Sequence, residues 1–109
     1  MAQTIVQKTP ENMVRMATGT YLDTGTVAAY NFDDLGFQPR YVKVINTTSN
    51  DEECWIEGMP NASAHKRLKA GGASTITSNG ITVNSRGFTL GLDTDINVTS
   101  EQVYFVALG

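Results

Sequence analysis

The 109-residue sequence predicts an all-β fold, a compact antiparallel β-sandwich or barrel of jelly-roll-like form with an N-terminal arm. Three observations predict it. Runs of β-branched and aromatic residues recur at the roughly 8–12-residue spacing of small sandwiches and barrels. Gly, Pro, Asn and Asp punctuate the gaps between the runs, where turns need them. No stretch carries a persuasive 3.6-residue periodicity. The length fits one domain, with residues 1–12 as the arm and 13–109 as the β domain, and a chain of this size buries enough surface to hold without staples.

In the arm, Ile5 and Val6 are the apolar anchors and Pro10 interrupts any long strand. Thr9-Pro10-Glu11-Asn12 has the chemistry of a short helix start, with Thr9 as N-cap. Residues 18–22 and 26–32 read as two short strands joined by the turn Asp23-Thr24-Gly25. Gly36 and Pro39 then introduce the run 41–47. Val42 and Val44 point to one side of that run and Tyr41 and Ile45 to the other. Apolar residues on both faces predict a central strand covered on both sides. It pairs with a strand at 54–59 across the polar loop 48–52.

Residues 64–69 hold one strong apolar residue, Leu68, among cations, which predicts an edge strand guarded by lysines. Ser78-Asn79-Gly80 lies between the β-rich runs 74–77 and 81–83, and Asn-Gly in that setting is the strongest short hairpin signal. Residues 87–92 alternate strictly, placing Phe88, Leu90 and Leu92 toward the core. After a loop at 93–101, the run 103–108 is apolar on both faces and reads as a mid-sheet strand.

Composition narrows the function classes. The net charge is −3, from 8 basic and 11 acidic residues, whereas a protein that holds nucleic acid by its phosphates gathers Lys and Arg on one face. The first eight residues show neither the charged nor the apolar region of a secretory signal, and no apolar run approaches the ~20 residues of a membrane helix. Nucleic-acid and membrane partners are therefore not expected. Cys54 is the only cysteine, so no intrachain disulfide forms, which suits a reducing compartment.

The sequence offers little chemistry. His65, the single histidine, stands among Lys66, Arg67 and Lys69 with no adjacent carboxylate to orient it. Cys54 sits in an expected strand beside Trp55 and reads as a small buried residue. A small hydrolase using Cys54 and His65 is the weakest of three functional readings, and no enzyme activity or cofactor is expected. Asp93, Asp95 and Asn97 alternate as at the start of a calcium loop, but Val98 and Tyr104 stand where an EF-hand needs Gly and Glu. The competing reading is that these side chains bond their own backbone. The clusters Asp51-Glu52-Glu53 and His65 to Lys69 read as solvated charge or as surfaces for a partner. Trp55 alternates with Glu53 and Glu57, which suits either an interface anchor or a core residue.

Gly36-Phe37-Gln38-Pro39-Arg40-Tyr41-Val42-Lys43-Val44-Ile45-Asn46, Trp55-Ile56-Glu57-Gly58-Met59, Thr77-Ser78-Asn79-Gly80-Ile81 and Gly87-Phe88-Thr89-Leu90-Gly91 occur in that order. Together they resemble a family of small tailed-bacteriophage virion proteins that look like capsid decoration (cement) proteins. The resemblance runs from about Gly36 to Gly109, and its motifs are structural, so no binding residue is carried over. It implies a structural protein on the outer capsid surface, made in the bacterial host cytoplasm, that stabilises the shell by bridging major capsid subunits. Closed cyclic assemblies match the symmetry of such shells, so a homo-oligomer is expected, a trimer before a dimer. The expected contacts with capsid or subunit are Ile5, Val6, Asp51, Glu52, Glu53 and Trp55. Similar motifs occur in phage fibre modules, so the alternative is a receptor- or glycan-binding module of a tail or head fibre. Trp55, Tyr21 and Tyr30 would then stack on sugars.

Overall fold

A computed structural model describes residues 15–22, 24, 25 and 27–109. The arm, with Ile5 and Val6, lies outside the described residues. Eight strands form: β1 (Met16–Leu22), β2 (Tyr30–Phe32), β3 (Tyr41–Asn46), β4 (Asp51–Ile56), β5 (Ser63–Leu68), β6 (Gly72–Asn84), β7 (Gly87–Leu90) and β8 (Gln102–Leu108). They make one sheet in the order β1-β8-β3-β4-β5-β6-β7-β2, with every neighbouring pair antiparallel. The sheet curls into a half-barrel. The fold is thus all-β and antiparallel as expected, and of the two expected architectures it takes the barrel-like one. No described helix is long and apolar enough to cross a membrane.

The alternation of each strand decides which side chains fill the concave side. Val42 and Val44 of β3, Trp55 of β4, Phe88 and Leu90 of β7, and Phe105 of β8 enter one core cluster. Ile96, from the connection between β7 and β8, is fully buried in the same cluster. β3 and β8 are interior strands, as their apolar content predicts, but each is buried on one face only. Tyr41, Ile45 and Val106 stay half-buried on the other face because no second layer covers it among the described residues.

Four local expectations are corrected. β1 and β2 do not pair with each other; β1 joins β8, β2 joins β7, and they become the two edges of the sheet. β5 is an interior strand between β4 and β6, so its cations do not guard an edge. Asp51, Glu52 and Glu53 belong to β4 rather than to a solvated loop. The signal at Asn79-Gly80 marks a kink, not a hairpin. A type I′ hairpin needs positive φ at both turn residues, and only Asn79 has it (φ 62°). One such residue bends a strand instead. β6 pairs with β5 before the kink, then meets Ser63 and β7 after it. Gly80 donates to the Ala62 carbonyl (2.9 Å) and Gly91 to the Gly80 carbonyl (2.9 Å). A side chain at Gly80 would fall 2.5 Å from the Ser63 carbonyl oxygen, so three backbones converge there.

The tight hairpin of this region joins β6 to β7. Asn84 pairs with Gly87 across Ser85-Arg86. The Asn84 Oδ1 accepts from the Arg86 and Gly87 amides (2.8 and 3.0 Å). Leu92, expected in the core, is exposed because β7 ends at Leu90.

Candidate functional site

One end of the half-barrel is closed by residues 93–100, and a polar cluster holds that loop. Asn46, at the end of β3 and fully buried, donates from Nδ2 to the Ile96 carbonyl (2.9 Å) and to Glu101 Oε1 (2.8 Å). Its Oδ1 accepts from the amides of Thr48 and Ser49 (2.9 and 3.0 Å). One side chain thus ties the β3–β4 turn to the loop. Asn97 adds bonds to the carbonyls of Gly91 (3.0 Å) and Ala28 (2.9 Å).

The strongest charges meet beside it. Lys66 lies on the inner face of β5 and sends its ammonium to both Asp93 oxygens (3.1 and 3.0 Å) and to Asp95 Oδ2 (2.6 Å). All three ammonium donors are satisfied. Burial lowers the Lys66 pKa, but the hydrogen bonds to Asp95 and Asp93 outweigh it, and the net shift is upward. The Lys66 and Asp93 side chains are 12% and 5% exposed, so water screens this pair little. The Asp95 amide donates to Asp93 Oδ1 (2.9 Å), the self-bonding expected of such a loop. Of the three side chains that alternate as in a calcium loop, Asp93 and Asp95 hold the ammonium of Lys66 between them. No group of three metal-binding side chains forms among the described residues.

Glu53 sits opposite Lys66 in the β4–β5 ladder, but the lysine is committed to the aspartates. Glu53 is 1% exposed, and neither carboxyl oxygen has a hydrogen-bond partner among the described residues. Its pKa is raised to about 8, first by burial and then by the neighbouring Asp93 carboxylate, with the Lys66 charge opposing. At neutral pH this carboxyl is largely protonated.

The expected contact residues divide. Ile5 and Val6 lie outside the described residues. Asp51 is half-buried and accepts from the Lys69 amide (3.0 Å). Glu52 faces outward and pairs loosely with Lys43 (3.6 Å). Glu53 and Trp55 both point into the core, because β4 alternates with Cys54 outward between them. The Trp55 indole N–H donates to the Pro60 carbonyl (3.1 Å), which lets the ring be buried without an orphaned donor. Cys54 and His65 are opposite one another in the β4–β5 ladder, on the outer face. They share no hydrogen bond; the imidazole Nδ1 lies 3.3 Å from Thr75 Oγ1 instead. Burial pushes the Cys54 thiol pKa up, with Lys43 opposing, so the thiolate a nucleophile needs is disfavoured.

The outer face carries what the sequence did not single out. The ladders align Met16, Leu108, Tyr41 and Ile56 in one row across β1, β8, β3 and β4. Met16 is 66% exposed and Ile56 53%. Four residues along, Ile45 stands opposite Tyr104, which is 47% exposed. Between the rows run Val106 and Lys43, followed by Cys54 and His65. A shallow groove of about 180 Å³ is lined by Lys43, Ile45, Tyr104, Phe105 and Val106. The signal was present in the sequence as apolar residues on both faces of β3 and β8. That pattern alone does not separate two-sided burial from one buried face and one outer apolar face, and the strands take the second form.

No family model, no curated protein and no solved structure matches this chain.

Proposed function

We propose that this chain is a structural protein of a bacteriophage virion that decorates the outer capsid surface and stabilises it by bridging major capsid subunits. The observation that carries the reading is the apolar row Met16–Leu108–Tyr41–Ile56, with Val106 and then Ile45 and Tyr104 further along the same outer face of the sheet. A contiguous apolar stripe edged by charge is the form a protein-contact surface takes. Here Glu52 and Arg67 flank Ile45 and provide the charged edge, and Lys43 lies between the two apolar rows. The polar groups of the loop end are turned inward and spent on holding the fold, which suits a binding module. The sequence resemblance supplies the virion context, with synthesis in the host cytoplasm, and the acidic balance fits a protein outside the packaged genome. Assembly as a homo-oligomer, a trimer before a dimer, would present several copies of the stripe to a symmetric shell. Binding the assembled shell better than free subunits stabilises the shell by mass action.

Co-sedimentation with expanded, undecorated capsids tests the proposal. Saturable binding that makes the capsids more resistant to heat is expected, and Ile56→Asp or Tyr104→Asp in a folded protein should weaken it at least about tenfold, since a buried charge costs more than the ~1.4 kcal/mol behind each factor of ten. Absence of binding would overturn it. The alternative, a receptor- or glycan-binding module of a fibre, draws on the exposed Tyr104 ring at the edge of its groove. Binding to cell-surface glycans but not to capsids would favour that reading.

A further inference from the structure

An amine and two carboxyls from separate segments converge inside the loop end. Lys66 stands mid-strand in β5, paired on both sides by β4 and β6. Its Nζ lies 3.1 and 3.0 Å from the two oxygens of Asp93. Asp93 is itself fixed. Its Oδ1 accepts from the Asp95 amide (2.9 Å), and its carbonyl accepts from the Ile96 and Asn97 amides (3.1 and 2.8 Å). Glu53 is the cross-strand partner of Lys66 on β4, and its carboxyl neighbours that of Asp93. It is buried without a hydrogen-bond partner among the described residues. A carboxyl buried in that state costs stability, so its presence calls for a role beyond holding the fold.

The surroundings favour joining the amine to the carboxyl. A buried ion pair has given up its hydration, and turning it into a neutral amide removes both buried charges. Strand and loop hold the two groups together, which replaces the encounter that separate molecules would need. The Lys66 and Asp93 side chains are scarcely exposed, so little water is at hand to reverse the reaction.

We propose that Lys66 Nζ and Asp93 Cγ condense into an intramolecular isopeptide bond, with the Glu53 carboxyl as the proton carrier. The N–Cγ bond forms and one Cγ–O bond breaks, with no change of oxidation state. The ammonium holds three protons and the amide keeps one, so two are lost from nitrogen and the oxygen leaves as water. The first proton goes from Nζ to Asp95 Oδ2, 2.6 Å away and open to solvent. The free amine attacks Cγ once the carboxyl has turned its face to the nitrogen about Cβ–Cγ. Glu53 gives its proton to an Asp93 oxygen and takes the second proton from the nitrogen. A proton from solvent, equal to the one passed out by Asp95, completes the departing water. Burial favours the neutral amine, but the bonds to Asp95 and Asp93 keep the ammonium as the resting form. The isopeptide bond therefore forms slowly, from the ion pair. It would tie β5 to the loop that closes the half-barrel, with β6 and β7 between its ends. The proposal is independent of what the outer face binds.

Intact-mass spectrometry of the folded full chain, incubated over days at neutral pH, tests it. A growing fraction should be lighter by one water, and digestion should release a branched peptide joining Lys66 to Asp93. Lys66→Arg, whose guanidinium stays protonated, should keep its full mass. Glu53→Gln should form the bond at least about a hundredfold more slowly while its circular dichroism matches that of the unsubstituted protein. A chain that keeps its full mass throughout, or that loses water without yielding the branched peptide, would overturn the proposal. An unchanged rate in Glu53→Gln would overturn the role of Glu53. Stabilities are compared between ion-paired chains, which the mass spectrum identifies.

Discussion

The half-barrel is closed in two different ways. At the loop end, residues 93–100 are held by directed polar contacts from Asn46, Asn97 and Lys66. At the seam between β1 and β2, five rings do the work: Tyr21, Tyr30 and Phe32 meet Phe88 and Phe105. Directed bonds between buried charges fix one geometry and are costly to disturb. Ring contacts hold by area with loose angular demands, so they tolerate substitution and leave backbone edges free. The loop end should therefore be the brittle and pH-sensitive part, and the seam the tolerant part.

Lys66→Met should give the largest loss, about 3–5 kcal/mol, because it leaves the buried Asp93 carboxylate without its counter-ion. Urea denaturation measures it, and a loss under about 1 kcal/mol would mean that the cluster is not the lock. Gly87→Ala probes the seam through its backbone. A side chain there would overlap the Phe32 carbonyl, so β2 must shift, at about 1–3 kcal/mol. Tyr21→Leu removes the ring pair with Tyr30 but keeps apolar bulk, and about 1 kcal/mol is expected. A loss as large as that of Lys66→Met would erase the distinction between the two closures. Ser100→Gly should be the smallest change and of opposite sign. Ser100 holds φ 66°, and glycine relieves that strain, a gain of up to about 1 kcal/mol less the entropy of a freer unfolded chain. Thermal unfolding would register it as a slightly raised Tm.

Strands were legible where one residue type repeated at period two: β3, β7 and β8 stand close to where alternation places them. What failed was everything that depends on a distant partner. Lys66 looked like an edge guard because the carboxylates that bind it come 27 and 29 positions later. Glu53 looked solvated because it follows Asp51 and Glu52, though alternation with the inward Trp55 could have flagged it. Asn79-Gly80 carried a turn signal, but the convergence of Ala62, Gly80 and Gly91 used its left-handed residue for a kink. The Asn84 hairpin had no glycine in its two-residue turn to announce it; the Asn84 side chain closes it. The outer apolar row shows only once the ladders align Met16, Leu108, Tyr41 and Ile56.

The contrast between the two closures rests on Glu53, and the pH dependence of unfolding free energy tests it most directly. Its folded-state pKa of about 8 lies above the ordinary 4.5, so the folded protein retains a proton that the unfolded chain releases between these values. Stability is therefore full below pH 4.5, declines as pH rises through the window, and has lost this contribution above pH 8. Between pH 5.5 and 8.5 the unsubstituted protein should lose about 3 kcal/mol, at ~1.4 kcal/mol per pH unit for one buried carboxyl. Glu53→Gln, which keeps the shape and cannot ionise, should be nearly flat over the same range and more stable than the unsubstituted protein at pH 8.5. Parallel pH profiles for the two proteins would contradict a protonated Glu53 beneath the loop.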